Sequence, residues 1–360
     1  MVNKQLVLIC AGGTGGHIIP ALSIAKNLMQ QGYTVHWLGS RHGLEAQLVP
    51  KVNIEISYIS ISGLRGKGWL TWLAAPYNLI VALTQALKII MRLQPSIVIG
   101  MGGFVAGPAG LAAWLLRKRL IIHEQNAIPG TTNRILSRIA TKVLTGFPES
   151  FKNISKKANI YYTGNPVRDI LTTIAEPRDR FINRRHKKLK LLVIGGSRGA
   201  RILNQCVPVA SSKCMRDKIE IWHQAGQNNV EDTKALYQQY NVDARVEAFI
   251  EDMQAAYTWA DLVVCRAGAL TISELAAVGI GSILVPFRGA VDNHQLYNAK
   301  YLADKGAAII VTEDVFTPEK LAGLLDYFIE RRERLTVMAN LAHQQTVPLA
   351  LENVVTHCLN

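Results

Sequence analysis

At 360 residues, 49% of them hydrophobic, the chain is long enough for two domains of ordinary size and too apolar to be disordered. Its 40 Lys+Arg against 26 Asp+Glu leave a net charge of +14, which suits nucleic acid, an anionic membrane surface or phosphorylated substrates without choosing among them. Five scattered cysteines (Cys10, Cys206, Cys214, Cys265, Cys358) without CxxC spacing exclude a disulfide framework and a structural zinc site and point to a reducing compartment.

Leu6–Cys10 reads as the first strand, with no signal-peptide pattern before it. It runs into Gly12-Gly-Thr-Gly-Gly-His17, and Ala21–Gln31 has the spacing of a helix closed by Gly32. Tyr33–Leu38 is a second strand, Glu45–Leu48 a helical piece, and Ile54–Ile61 alternates like a strand. A basic loop, Ser62-Gly-Leu-Arg-Gly-Lys-Gly68, precedes Trp69–Leu93, which has helical period broken near Pro76. Ser96–Leu116 contains no charge and is long enough to suggest a membrane span. Its glycines and Pro108 instead fit a strand (Ile97–Ile99), a glycine loop and a helix (Ala109–Leu116). Strand Arg119–His123, helix Thr131–Ala140 and strand Lys142–Thr145 continue the alternation, which argues a parallel sheet covered on both faces.

Asp169–Lys190 is charged, includes Arg184-Arg-His-Lys-Lys188, and reads as a linker with a solvated basic run. The second half repeats the pattern, with strands at Leu189–Ile194, Ile219–His223, Val246–Phe249, Leu262–Cys265, Ser282–Val285 and Ala308–Val311. Helices Pro318–Glu330 and Arg334–Gln345 close it, and a last piece from Pro348 is placed to cross back to the first half.

Leu191-Leu-Val-Ile-Gly-Gly-Ser-Arg-Gly-Ala200 echoes the first strand and its glycine turn, and Gly102-Gly-Phe-Val-Ala-Gly107 is a third such turn. Backbone N–H groups in such turns, backed by a helix N-terminus, suit phosphate oxygens. Three of them imply more phosphate-binding capacity than one small ligand needs, although a tight strand-to-helix connection explains any one alone. The first turn does not fit GxGxxG, and the second strand ends without an acid for a ribose, so a dinucleotide site is a poor match. No GxxxxGK[ST] occurs. Glu274 stands near a helix start, where it either caps the helix or accepts the paired hydroxyls of a ribose. His294, Gln295 and Asn298 share one polar helix face suited to sugar hydroxyls, or form a plain surface helix start.

Taken together and in order, Gly12–His17, Gly102-Gly-Phe104, His123-Glu-Gln-Asn126, Gly164-Asn-Pro-Val-Arg168, Gly195-Gly-Ser197, Ala267–Glu274 and Asp292–Asn298 resemble the MurG family. These bacterial glycosyltransferases add N-acetylglucosamine to the lipid-linked muramyl-pentapeptide precursor of peptidoglycan. The resemblance covers nearly the whole chain and implies an α/β GT-B fold, two Rossmann-like parallel-sheet domains with a cleft between them. It implies an acceptor- and membrane-binding domain of residues 1–163 plus 346–360, and a UDP-sugar domain of 164–345. Arg198 stands where some members carry glutamine, and the loop Arg288–Val291 differs from theirs in length and charge.

By the same resemblance, Glu274 holds the ribose hydroxyls and Ile250 the uracil through its backbone. Arg168, Gly195, Gly196 and Ser197 meet the diphosphate, and Ala269, Leu270 and Thr271 line the donor beside Glu274. His294, Gln295 and Asn298 contact the donor sugar or its phosphate, and Thr14, Gly15 and Asn126 reach the donor near the reaction centre. Gly13, Gly16, Gly102 and Gly103 are placed against the acceptor diphosphate. The implied reaction is displacement of UDP by the acceptor C4 hydroxyl with inversion, giving a β-1,4 link between UDP-N-acetylglucosamine's sugar and undecaprenyl-linked muramyl-pentapeptide. That needs a base opposite the leaving group. His17 serves either as that base or as a hydrogen-bonding group for donor or diphosphate; Glu124 and His123 are further candidates for the base. No DxD occurs, so no metal or other cofactor is expected, and backbone N–H groups with Arg168 take the leaving charge.

Arg65, Lys67, Trp69, Leu70, Trp72 and Leu73, with Trp114 before Arg117-Lys-Arg119, read as a peripheral patch for an anionic leaflet, on the cytoplasmic face of the cell membrane. Much of the same segment also suits ordinary packing. Other cell-wall synthesis and division proteins are implied partners. A diacylglycerol glucosyltransferase, which shares the donor motifs and membrane docking, and a UDP-sugar 2-epimerase of the same fold, which needs no lipid patch, stay as alternatives. Nucleic acid is not an expected partner, because the basic runs lack interleaved aromatics and a recognisable binding motif.

Overall fold

The computed structural model describes residues 5–13, 15–61, 75–152, 159–182, 184, 187–196 and 199–360. The chain divides into two compact units, Met1–Val167 with Val347–Asn360, and Arg168–Thr346. The division falls at Val167 rather than at Thr163, because the turn after Thr163 packs in the first unit: a Cβ on Gly164 would lie 2.7 Å from Val347 Cβ.

Unit 1 carries seven parallel strands in the order β3-β2-β1-β4-β5-β6-β7. They are β1 Leu6–Cys10, β2 Thr34–Gly39, β3 Glu55–Tyr58, β4 Ile97–Gly100, β5 Arg119–Glu124, β6 Lys142–Thr145 and β7 Ile160–Tyr162. Registers such as Val7 opposite both Val35 and Ile97 put β1 between β2 and β4. Its side chains alternate between two cores, as strand geometry requires. Val7 and Ile9 pack with Ile18, Ile24 and Leu28 of the helix Gly15–Gln30 and with Leu351, Val354 and Val355 of the terminal helix Ala350–Leu359. Leu8 and Cys10 pack on the other face with Ala82, Ala86 and Ile90 of Ala75–Leu93 and with Ala109 and Ala112 of Gly103–Leu115. Each such fully buried Leu or Ile contributes about 1.5–3 kcal/mol. The terminal helix thus belongs to unit 1, as the sequence places it.

Two helices begin earlier than their periodicity suggests. The first starts at Gly15 and holds Pro20 inside it, and the one after β4 starts at Gly103. The turn after β4 therefore needs only Gly102 and Gly103, whose φ angles are +89° and +75°. Gly110 lies inside the helix, where a Cβ would come within 2.8 Å of Leu136 Cδ1. This strand, turn and 13-residue helix account for the uncharged segment, and no helix among the described residues is long and apolar enough to cross a membrane. Pro76 is the second residue of the described helix Ala75–Leu93, where a missing N–H costs nothing, and residues 69–74 of the same periodic stretch lie outside the described residues. Strand β7 escaped the periodicity reading because it is a three-residue edge.

Unit 2 carries six parallel strands in the order β10-β9-β8-β11-β12-β13. They are β8 Leu189–Ile194, β9 Ile219–Gln224, β10 Arg245–Glu247, β11 Leu262–Cys265, β12 Ser282–Leu284 and β13 Ala308–Ile310. Leu189, Leu191 and Val193 pack with Leu203 and Val207 of Arg201–Lys213 and with Leu321, Leu325 and Phe328 of Pro318–Glu330. The charged stretch before β8 is not the solvated linker that its composition suggests. Arg180 donates to the carbonyls of Val278 and Gly279, and Arg184 donates to Asp261 Oδ1 at 2.9 Å. Asp261 is buried and also pairs with Arg332, so these arginines supply charges that a buried carboxylate requires. Only Lys187 and Lys188 of that basic run are exposed among its described residues.

Candidate active site

In unit 1 the functional groups gather at the carboxyl ends of three neighbouring strands, β1, β4 and β5, the usual ligand position in open parallel sheets. After β1, Gly12 and Gly13 turn into the helix that carries His17, which is half-buried. The turn is braced from within by Glu45, a fully buried carboxylate. Glu45 Oε1 accepts from Ser40 N at 2.8 Å and Ser40 Oγ at 2.7 Å, and Oε2 accepts from Gly13 N at 3.2 Å. Hydrogen bonds to a charged acceptor are the strong ones, so this contact holds the turn firmly. It also alters the role expected of Gly13, whose N–H is directed at a carboxylate and not at a phosphate.

Gly102 and Gly103 close on the same turn. A Cβ on Gly102 would lie 3.1 Å from His17 Nδ1, and one on Gly103 would strike the carbonyl oxygen of Gly12. Gly102 is buried, Gly15 and Gly103 are half-buried, and Gly16 is exposed. Thr14 lies outside the described residues.

Behind His17 stands the loop after β5. His17 Nδ1 is 2.9 Å from Gln125 Oε1, Gln125 Nε2 is 3.1 Å from His123 Nδ1, and His123 Nε2 is 3.2 Å from the Gly164 carbonyl. His123 is fully buried, and burial pushes it down to about 4, so it is neutral at ordinary pH. Glu124 is occupied in a different way. Its Oε1 accepts from the N–H and Nδ2 of Asn126, and its Oε2 from Gly130 N and Asn133 Nδ2 at 2.9 Å. Buried with four donors, it shapes the loop that presents Asn126 and is no free base. His123 is likewise sealed in, which leaves His17 as the accessible candidate among the three.

Unit 1 also contains a cavity of about 1080 Å³, lined by Phe104, Leu111, Leu79, Ile135 and Ile139 together with Arg41. Leu79 and Ile135 are themselves exposed, as are Tyr77, Ile80 and Trp114 nearby in sequence. The remaining patch residues, Arg65, Lys67, Trp69, Leu70, Trp72 and Leu73, lie outside the described residues.

In unit 2 the turn after β8 has Gly196 at φ +82° with open space where a Cβ would stand. Gly195 lies so close to Ala200 N that a Cβ would approach it to 2.6 Å. Ser197 and Arg198 lie outside the described residues. The helix Ala269–Val278 starts after Gly268, with Ala269 buried and Leu270 and Thr271 half-buried in its first turn. Glu274 is one turn further on. Its Oε1 accepts from Arg168 Nε at 3.1 Å and Nη2 at 2.9 Å, and its Oε2 accepts from Tyr257 OH at 3.1 Å. Two residues assigned separately to ribose and diphosphate are therefore paired with each other. Burial, then the Glu274 carboxylate, pushes the Tyr257 phenol well up, so it stays a donor.

Ile250 is buried and its N–H donates to Gln224 Oε1 at 3.0 Å. Gln295 Oε1 accepts from Phe287 N at 2.9 Å, and His294 is half-buried beside it. Asn298 departs from the expected sugar-facing row. It is completely buried, with Nδ2 donating to the Ala267 carbonyl at 3.2 Å, because one turn along the helix takes it from the half-buried start at His294 and Gln295 into the core. No group of three metal-ligating side chains occurs among the described residues. Glu45, Gln125, Tyr257 and Gln224 are the residues that motif reading left without a role. Gln125 lies inside the run His123–Asn126, while nothing local marks Glu45 or Tyr257.

Residues 7–145 match the glycosyltransferase family 28 N-terminal domain, and residues 190–354 match the glycosyltransferase family 28 C-terminal domain. The chain is 49% identical to a protein of Nitrosococcus oceani over 98% of both chains, and 49% identical to one of Marinobacter nauticus over 99% and 97%. Both carry the name UDP-N-acetylglucosamine–N-acetylmuramyl-(pentapeptide) pyrophosphoryl-undecaprenol N-acetylglucosamine transferase. Among solved structures, Acinetobacter baumannii MurG superposes with a TM-score of 0.84 at 41% identity, covering 99% of each chain.

Proposed function

This chain belongs to glycosyltransferase family 28, and from that premise we propose that it moves N-acetylglucosamine from UDP-N-acetylglucosamine to N-acetylmuramyl-(pentapeptide) pyrophosphoryl-undecaprenol. The observation that carries this reading is the reach of the likeness: 49% identity runs through 98% of both chains, so donor and acceptor machinery are inherited together. The two-unit GT-B fold agrees with it.

In this reaction the acceptor C4 hydroxyl attacks the anomeric carbon from the face opposite UDP. The bond from that carbon to the phosphate oxygen breaks, and its electron pair leaves with UDP. The hydroxyl proton passes to His17 Nε2, the nitrogen that does not face Gln125. On the donor side, Glu274 accepts the ribose hydroxyls, in competition with Arg168 for the same carboxylate oxygen. Arg168, displaced from that oxygen, and the Gly195–Gly196 turn meet the leaving diphosphate. The Ile250 carbonyl accepts from the uracil ring N–H, and His294 and Gln295 meet the sugar. Gly16, Gly102 and Gly103 receive the acceptor diphosphate. Exposed Tyr77, Ile80 and Trp114, with Arg117 beside Trp114, rest on the anionic cytoplasmic leaflet and keep the enzyme peripheral.

The test is transfer of labelled N-acetylglucosamine from its UDP conjugate to a short-chain lipid-linked muramyl-pentapeptide in the presence of EDTA. Transfer is the expected result. UDP-sugar binding without transfer would move the acceptor to another lipid or the chemistry to epimerisation. Vesicle binding that survives Ile80→Glu with Trp114→Glu would remove the membrane assignment.

A further inference from the structure

We propose that Gln125 is a positioning residue which, backed by buried His123, holds His17 in the Nδ1–H tautomer and so presents the Nε2 lone pair to the acceptor hydroxyl. The inference rests on the reading of His17 as the base, and it deepens that reading by assigning how the base is set.

The Gly164 carbonyl only accepts, so His123 Nε2, 3.2 Å away, carries a hydrogen. His123 is fully buried and neutral, which makes its Nδ1 an acceptor. The Gln125 atom 3.1 Å from that Nδ1 is then the amide nitrogen, which also donates to the His123 carbonyl at 3.3 Å. With the amide nitrogen committed to His123, the amide oxygen faces His17, and His17 Nδ1 at 2.9 Å has to be the donor. Oxygen and nitrogen of an amide look alike by shape alone, and here the hydrogen-bond chain decides between them.

The surroundings hold the chain in place. Gln125 is 1% exposed, and its own carbonyl accepts from Asn165 Nδ2 at 3.0 Å. The far side of His123 is fixed as well, since its carbonyl accepts from Asn133 Nδ2 at 3.2 Å. A glutamine cannot pass a proton onward as a carboxylate or a second imidazole can. The chain is therefore a fixed set of dipoles: the proton taken by Nε2 stays on His17 until solvent or product removes it, and the Gln125 oxygen stabilises the imidazolium meanwhile. Free histidine in water favours the opposite tautomer, with the hydrogen on Nε2, so an unheld His17 would spend much of its time unable to accept.

The experiment combines histidine-selective 15N labelling with steady-state transfer kinetics, and His17→Gln identifies the His17 signals. In the native protein His17 Nε2 is expected to show the shift of an unprotonated ring nitrogen and Nδ1 that of a protonated one. Gln125→Leu is expected to mix the two tautomers and to lower kcat on the order of tenfold to a hundredfold, part of what a general base supplies, with KM for UDP-N-acetylglucosamine little changed. Gln125→Glu keeps an oxygen acceptor toward His17 while its second oxygen shares one proton with His123 Nδ1, and is expected to restore the Nδ1–H tautomer and most of the lost kcat. A native His17 protonated at Nε2 would overturn the proposal, as would a Gln125→Leu protein of native stability with unchanged tautomer. Full activity in His17→Ala would defeat the base reading itself, whereas the tautomer measurement judges the positioning independently.

Discussion

The turn Gly12–Gly13 in unit 1 and the turn Gly195–Ala200 in unit 2 look alike in sequence, each a glycine run between a buried strand and a helix. Their interiors differ. The first is filled by the Glu45 carboxylate, which takes the Gly13 N–H. The second packs on backbone: Gly195 N donates to the Gln224 carbonyl, Gly199 N to that of Gly196, and a Cβ on Gly199 would strike the Ala225 carbonyl. A glycine turn is thus a statement about closeness, and what it is close to decides whether it can take an anion. Counting three such turns as phosphate capacity overcounts, because the first spends the Gly13 N–H on an internal acid and the second spends those of Gly195 and Gly199 on backbone carbonyls.

The comparison is most sharply tested at the residue that only the first turn carries. His17→Ala is expected to lower kcat/KM by roughly 10²–10⁴-fold, measured as sugar transfer, while UDP binding to unit 2 is retained. Glu45→Ala should cost roughly 3–5 kcal/mol, because it leaves Gly13 N, Ser40 N and Ser40 Oγ without their buried partner. Calorimetry would register this as a fall in Tm on the order of 10 °C. If Tm is unchanged, the brace is not what holds the turn.

Among the described residues each unit has one histidine completely sealed from solvent and kept neutral, His123 and His223, which separates wiring from packing. Burial pushes His123 down to about 4 and His223 to about 3, from an ordinary 6.5. The unfolded chain binds these protons below 6.5 and the folded chain does not, so stability is whole above that pH and falls as the pH drops toward the folded values. At pH 4 the loss is roughly 3 kcal/mol for each histidine, readable in urea unfolding from pH 7 to 4. His223 contacts Tyr237 OH and Asn204 Oδ1 inside its core, so His223→Gln should flatten the profile and leave transfer intact. His123→Gln should alter both, since it reaches His17 through Gln125.

The smallest effect contrasts the turns directly. Gly103→Ala and Gly196→Ala both place a side chain at positive φ, +75° and +82°. The first also drives a methyl into the Gly12 carbonyl and should cost roughly 2–4 kcal/mol, the second only about 1 kcal/mol of backbone strain. Equal costs would mean that the two turns are not differently crowded.

Much of this was legible in the sequence because it is local. Strand alternation, the glycines that turns require and the helix caps depend on neighbours a few residues away, so both sheets and nearly every strand were readable, along with His17 at a helix start. What the tertiary structure alone decided are pairings across long stretches of chain. His17 meets Gln125 only because β1, β4 and β5 lie side by side. Glu45 falls under a turn set by a strand well before it, and Arg168 reaches Glu274 across most of unit 2. Arg184, written in a basic run that looks solvated, is claimed by Asp261. In each case a buried polar group needed a partner, and folding supplied one that is distant in the chain, which no local pattern encodes.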